Sequence, residues 1–335
     1  MSAIESAFRL NRPWQTFDPF LFSMHHLDAY PEGNEFMGPA PGLSGRNIGS
    51  DFSYKDGWSM YHGQTIPGFP RHPHRGFETI TLVRTGRIDH ADSLGATARF
   101  GDGDVQWMTA GGGICHSEMF PLLKRGAANP LELFQIWLNL PARNKMVDPY
   151  FTMLWGETIP RHSLDGVEIV TVAGSLDERT MPTPPPDSWA SDPTSDLAIW
   201  TITMKPGARW TLPAHKPGLN RALYYFKGGG MTFEGRQSPT SGIGMKLKSD
   251  APLELENGKE VSELVLLEGR PIGEPVFHHG PFVMATQKDL EQAFIDYRAT
   301  QFGAWPWEGD APVHRRGDDR FAVHADGRRE EPASA

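Results

Sequence analysis

His72-Pro73-His74-Arg75-Gly76-Phe77-Glu78-Thr79 decides how this chain is read, together with Gly113-Ile114-Cys115-His116-Ser117-Glu118 further along. Each stretch sets two metal-capable side chains at i and i+2. On a β-strand these positions project from one face, so two such strands facing each other bring three imidazoles and a carboxylate to one point. That donor set suits a divalent transition metal, iron among the best candidates, with coordination positions left open for a substrate.

Working outward, Phe77-Glu-Thr-Ile-Thr-Leu-Val83 is rich in β-branched residues and lies between Gly76 and Gly86, which marks a strand. If that strand runs back through His74, then His72, His74, Glu78, Ile80 and Leu82 share one face. Ile80 and Leu82 are natural core residues, so the histidines point inward with them. Glu78 then faces inward too, and spacing alone leaves Glu78 and Glu118 as rival carboxylates.

The rest of the chain reads as β-structure. Val105-Gln-Trp-Met108, Leu133 to Leu140, Val167 to Val172, Ala198 to Ile202, Ala222 to Phe226 and Leu264 to Leu267 all carry strand patterns. The 36 Gly and 29 Pro supply turns between them. The Pro-rich Met181 to Pro186 reads as a surface loop, because Pro cannot join a central ladder. One helix is expected at 287–300: Thr286-Gln-Lys-Asp289 resembles a capping box, and Leu290, Ala293, Phe294 and Tyr297 form an apolar stripe. Beyond Trp307 five Arg stand against seven acidic residues, which reads as a poorly ordered or surface-draped tail. The expected division is an N-terminal domain at 1–150 with the metal site, a C-terminal domain at 151–304 including the helix, and a charged tail at 305–335.

A formal charge of −9 gives no positive footprint for direct nucleic-acid binding. No stretch approaches the ~20 apolar residues that span a bilayer. With a single cysteine, Cys115, no intrachain disulfide can form. A cytoplasmic protein is the expectation.

The chain resembles the pirin family of the cupin superfamily. The matching stretches are His72 to Thr79, Gly103-Asp-Val-Gln-Trp-Met-Thr-Ala-Gly111, Gly113 to Glu118, Phe134-Gln-Ile-Trp-Leu-Asn-Leu-Pro141, Asn144-Lys-Met-Val-Asp-Pro149 and His279-Gly-Pro-Phe-Val-Met-Ala-Thr286. The resemblance implies an all-β bicupin, two tandem jelly-roll β-barrels with a short C-terminal helix. It implies iron in the N-terminal barrel, held by His72, His74, His116 and Glu118, with other divalent transition metals as alternatives. It favours Glu118 over Glu78, leaving Glu78 to orient an imidazole. It also implies dioxygenase activity on flavonols such as quercetin with O₂, Glu118 being the candidate base. Some eukaryotic relatives instead act as transcription coregulators, so an iron-binding regulatory or redox-sensing protein with protein partners is the rival class. Another cupin reaction on a different aromatic is a third.

Other singled-out residues read more plainly. His215 stands alone in Leu212-Pro-Ala-His-Lys-Pro-Gly218, so the second barrel is expected to bind no metal. Cys115 reads as a buried, inert thiol, and His90 as structural or near the pocket rim. His25-His26 and His278-His279 are neighbours that face opposite ways on a strand, so neither pair is a chelate. Phe77, Trp107 and Met108 read as barrel packing, with lining of a pocket for a flat substrate as the alternative.

Overall fold

The computed structural model describes residues 2–179 and 181–333. Strands dominate, with one α-helix among the described residues. Two compact units divide the chain: Met1–Met24 with Thr158–Gly273, and His25–Glu157 with Glu274–Ala335. The cut is discontinuous, unlike the division near residue 150 suggested by the sequence. The strand Ile4–Arg9 pairs with Ile243–Leu247, which draws the N-terminus into the sheet of the later unit.

In that unit a seven-stranded sheet runs from Ile4–Arg9 through Ile243–Leu247, Asn220–Lys227, Ser262–Gly269, Ala198–Met204 and Val167–Ala173 to Arg161–Leu164. A four-stranded sheet holds Arg209–Leu212, Leu253–Asn257, Met231–Phe233 and Arg236–Ser238. Burial alternates along Leu253-Glu-Leu-Glu-Asn257, so one face is dry. Trp200, Ile202, Leu223 and Leu264 from the larger sheet share a buried cluster with Leu212, Phe233, Leu253 and Leu255 from the smaller. The core therefore lies between two sheets.

The other unit repeats this plan. A five-stranded sheet orders Tyr150–Leu154, Val105–Thr109, Phe77–Thr85, Leu131–Asn139 and Phe20–Asp28. A six-stranded sheet orders Arg329–Glu330, Phe321–Val323, Thr97–Gly101, Arg87–Asp92, Ile114–Met119 and Gly68–His74. Val83, Leu133 and Phe151 from the first meet Ile88, Ala98 and Phe100 from the second in one buried cluster. In both units the ladders stay open, as paired sheets rather than closed barrels. The helix Gln287–Thr300 starts where expected, with Thr286 Oγ1 accepting the Asp289 N–H at 3.1 Å. Leu290 and Ala293 pack on Phe282 and Met284 of the short hairpin Phe277–His279/Phe282–Met284.

The stretch from His72 to Thr79 is two strands in different sheets. They part at Arg75-Gly76, where Gly76 has φ +83° and a Cβ would lie 2.0 Å from the Val283 carbonyl oxygen. Side-chain parity therefore does not carry across, and the expectation of an inward Glu78 is corrected. Phe77, Thr79 and Thr81 share the face that meets His74 and Glu118. Glu78 points the other way and accepts a hydrogen bond from its register partner Thr109 at 2.7 Å.

Lys145, almost fully buried, pins this bend. Its Nζ donates to the carbonyls of Gly76 (2.8 Å) and Val283 (3.2 Å) and to Asn139 Oδ1 (2.7 Å). Burial, opposed by the charge of Glu274, brings its pKa down to about 8.

The charged tail is ordered where described and mostly exposed, the surface-draped one of the two expected states, and it goes further by joining a sheet. Phe321–Val323 pairs with Thr97–Gly101, and Phe321 and Ala322 are buried. Fully buried Arg99, ion-paired to Asp89, donates to the carbonyls of His314, Arg315 and Asp318. The tail's polar backbone is satisfied by a buried cation, which composition does not reveal.

Truncation after Ala304 will strip those acceptors from Arg99 and cost about 3 kcal/mol, read by urea unfolding. Lys145→Met will cost about 3 kcal/mol at pH 7, because three buried acceptors lose their donor. The pH sign follows from the depressed pKa: the unfolded chain holds more protons between pH 8 and 10.5, so the wild type gains stability across that interval. The gap between wild type and Lys145→Met should widen there by about 3 kcal/mol.

Candidate metal centre

Gly68–His74 is the edge strand of its sheet, and that position tolerates Pro73, which has no N–H to give, between the two histidines. Its antiparallel partner is Ile114–Met119. His72 lies opposite His116 and His74 opposite Ile114, with a register shift between Phe69 and His72. Such irregularities re-aim side chains near active sites. At the start of the strand, Gly68 has φ +131°, and a Cβ there would stand 2.4 Å from the Glu118 carbonyl oxygen.

These two strands bring three imidazoles together. Ring centroids lie 4.3 Å apart for His72–His116, 4.9 Å for His74–His116 and 4.9 Å for His72–His74. Their ligand nitrogens all fall within 4.8 Å of one another. Two nitrogens on opposite sides of one transition-metal ion are about 4.2 Å apart, so one ion fits with sub-ångström adjustment.

The chemistry of the donors fits as well. His116 is fully buried, and neither ring nitrogen has a hydrogen-bond partner among the described residues. A neutral imidazole carries both a donor and an acceptor, so two orphaned nitrogens in a dry interior are costly unless an ion satisfies one of them. His72 Nδ1 sits 2.9 Å from the Pro70 carbonyl oxygen. A carbonyl can only accept, so Nδ1 carries the proton and Nε2 presents its lone pair. Burial pushes the His72 pKa down to about 4. It pushes His74 and His116 well below the usual value, the neighbouring imidazoles adding to the effect. All three rings are therefore neutral at pH 7, the form a metal requires.

Glu118 stands two residues beyond His116 on the same strand. It lies outside the three-histidine group: its Oε1 accepts a hydrogen bond from Thr81 Oγ1 at 2.8 Å. Burial raises its pKa, with Thr81 and the charge of His90 opposing. His90 is its cross-strand partner, with a ring 5.5 Å from His116 and Nε2 3.2 Å from Asp92 Oδ2.

Sequence reasoning missed one feature beside the histidines and all but Phe77 of another. One is a polar floor, in which Thr81 Oγ1 lies 3.0 Å from the Gln135 amide and its register partner Gln106 is fully buried with both amide atoms unpaired. The signal was there, as polar residues interrupting apolar strands, once the parity break at Gly76 is recognised. The other is an aromatic wall. Phe77 and Trp137 lie 5.1 and 5.6 Å from His74, and Phe69 lies 6.2 Å from His72 and stacks on Tyr61. Trp107 and Met108 are buried. The adjacent histidine pairs stand apart: His25 bonds Glu132, His26 bonds Tyr61, and His278 and His279 are exposed. Cys115 is buried, and burial raises its pKa.

Fold and site define a two-domain cupin with a three-histidine centre in one domain. The pirin family model matches residues 33–138, and the model of the pirin C-terminal cupin domain matches residues 199–303. The chain belongs to the pirin family. Human pirin is 35% identical over 249 residues, covering 72% of this chain and 80% of its own. A Pseudomonas aeruginosa protein named "Putative quercetin 2,3-dioxygenase" is 35% identical over 237 residues, covering 70% and 79%. A crystal structure of quercetin 2,3-dioxygenase from Acinetobacter baumannii shares the fold, with a TM-score of 0.72 over 91% of this chain and 99% of that one, at 23% identity.

If the three imidazoles hold an ion, anaerobic Fe(II) will raise the melting temperature of the wild type and leave His116→Ala unmoved. Metal analysis after desalting should find iron retained by the wild type alone.

Proposed function

We propose that this protein is an iron(II)-dependent dioxygenase that opens the ring of a flavonol such as quercetin with O₂. The observation that carries the reading is His116: a fully buried imidazole with both nitrogens unpaired, between two further neutral imidazoles. Relatives named for quercetin dioxygenase activity support the substrate class. A cytoplasmic setting and a metal-free second cupin domain, carried over from the sequence, belong to the same reading.

Bound there, a divalent transition metal supplies Lewis acidity that favours an ionised hydroxyl, and open positions for oxygen chemistry. His72, His74 and His116 hold it. Glu118 would serve as fourth ligand, or swing free of the metal to accept the proton of the substrate's enolic hydroxyl. Burial raises its basicity, with Thr81 and the charge of His90 opposing. Thr81 donates to Oε1 and fixes the carboxylate, leaving Oε2 for the proton. Phe69, Phe77 and Trp137 offer ring faces to a flat substrate and keep water from it.

The test is oxygen uptake with quercetin after anaerobic loading with Fe(II). The wild type should turn over, His74→Ala should lose both iron and activity, and Glu118→Gln should lose about 10²–10⁴-fold in kcat. No uptake by folded, iron-loaded wild type removes the dioxygenase reading and leaves a regulatory iron protein in its place.

A further inference from the structure

The unit formed by Met1–Met24 and Thr158–Gly273 contains a polar cavity of its own, about 390 Å³ in volume, where a small organic ligand would fit. Its inner wall is a chain of three groups. Arg221 and Glu268 are cross-strand neighbours, each almost fully buried, with Nε and Oε2 2.7 Å apart. Glu268 Oε1 lies 2.8 Å from His215 Nδ1, and the half-exposed His215 is anchored by its backbone N–H donating to the Ser249 carbonyl at 2.7 Å.

Each member keeps capacity unused. Arg221 spends Nη1 on the carbonyls of Pro213 and Ser249, while Nη2 has no hydrogen-bond partner among the described residues. Its buried Nε touches Glu268 without hydrogen-bond geometry and is likewise unsatisfied. His215 Nε2 has no partner there either. A guanidinium cannot shed its charge, and Nη2, which is not among the buried unpaired atoms, is accessible to a ligand.

The charges of the wall leave room for an anion. Asp196, at the rim, holds Lys216 at 2.6 Å and Arg270 at 3.0 Å. Within the lining Arg221 faces Glu268 and Asp196, with His215 beside them, and Lys216 and Arg270, outside the lining, offset the charge of Asp196. The remaining walls are apolar, from Leu176, Leu197, Trp200 and Pro213. Trp200 is held by its indole N–H, which donates to the carbonyls of Ala173 and Gly174.

We infer that this cavity is a second ligand site, taking a small organic monoanion with an apolar body, its oxyanion between Arg221 Nη2 and His215 Nε2. A carboxylate and a phenolate share that chemistry. The site uses none of the residues of the three-histidine centre, so it stands or falls separately from the proposed dioxygenase activity.

The experiment is calorimetric titration of the full chain with benzoate and, separately, with p-nitrophenolate. Three proteins are compared: wild type, His215→Ala and His74→Ala. The expected result is saturable binding of at least one probe, weakened about tenfold by His215→Ala and unchanged by His74→Ala. Binding of benzoate alone identifies a carboxylate site, and of p-nitrophenolate alone a phenolate site. His215 is half-exposed, so its removal leaves the fold intact, which matching urea unfolding curves would verify. No saturable binding of either probe by the wild type overturns the inference. So does binding that His215→Ala leaves unaltered.

Discussion

The proposed dioxygenase activity depends on one constraint: three imidazoles, two of them buried, packed within reach of one another with more ring nitrogens than the described residues supply partners for. Burying a polar group without compensation costs free energy that a marginally stable domain does not hold in surplus. The cost is concentrated at His116, whose two ring nitrogens are both unpaired. An ion accepted at the point where the rings converge turns that liability into a binding site. The same burial keeps the rings neutral, so the dryness that makes the arrangement costly also makes it a good ligand set.

The surrounding structure serves to hold that geometry. An edge strand admits Pro73 between two histidines, and cross-strand register places His116 opposite His72. The bend at Gly76 then sends the chain into the other sheet with its parity reset, so that Phe77, Thr79 and Thr81 look back toward His74 and Glu118. Lys145 ties the bend to the Phe282–Met284 strand and to Asn139, three separate segments joined through one ammonium. Rigidity of this kind, on strands rather than loops, is what a centre needs if its ligands are to stay within half an ångström of working positions.

Much of this was legible in the residues. The i, i+2 spacing of His72/His74 and the recurrence at His116 announced a shared strand face, and the helix at 287–300 follows from its cap and stripe. Strand patterns gave the all-β class. The sequence argument failed where a single dihedral decides the outcome. Parity counting assumes an unbroken strand, and one residue at φ +83° reverses which of Glu78 and Thr79 faces inward. Composition left the tail between disordered and surface-draped, since a polar segment satisfied by buried Arg99 looks the same as one satisfied by water. Discontinuous pairing of the N-terminal strand is a long-range fact with no local signature, so the division near residue 150 had nothing to correct it.

X-ray absorption at the iron edge on anaerobically reconstituted protein, with and without quercetin, tests the central claim most directly. The account predicts scattering from three imidazoles in the wild type, none from His116→Ala carried through the same reconstitution, and a nearest-neighbour shell that changes when quercetin is added. Imidazole scattering indifferent to the loss of His116, or a shell that quercetin leaves untouched, would contradict it.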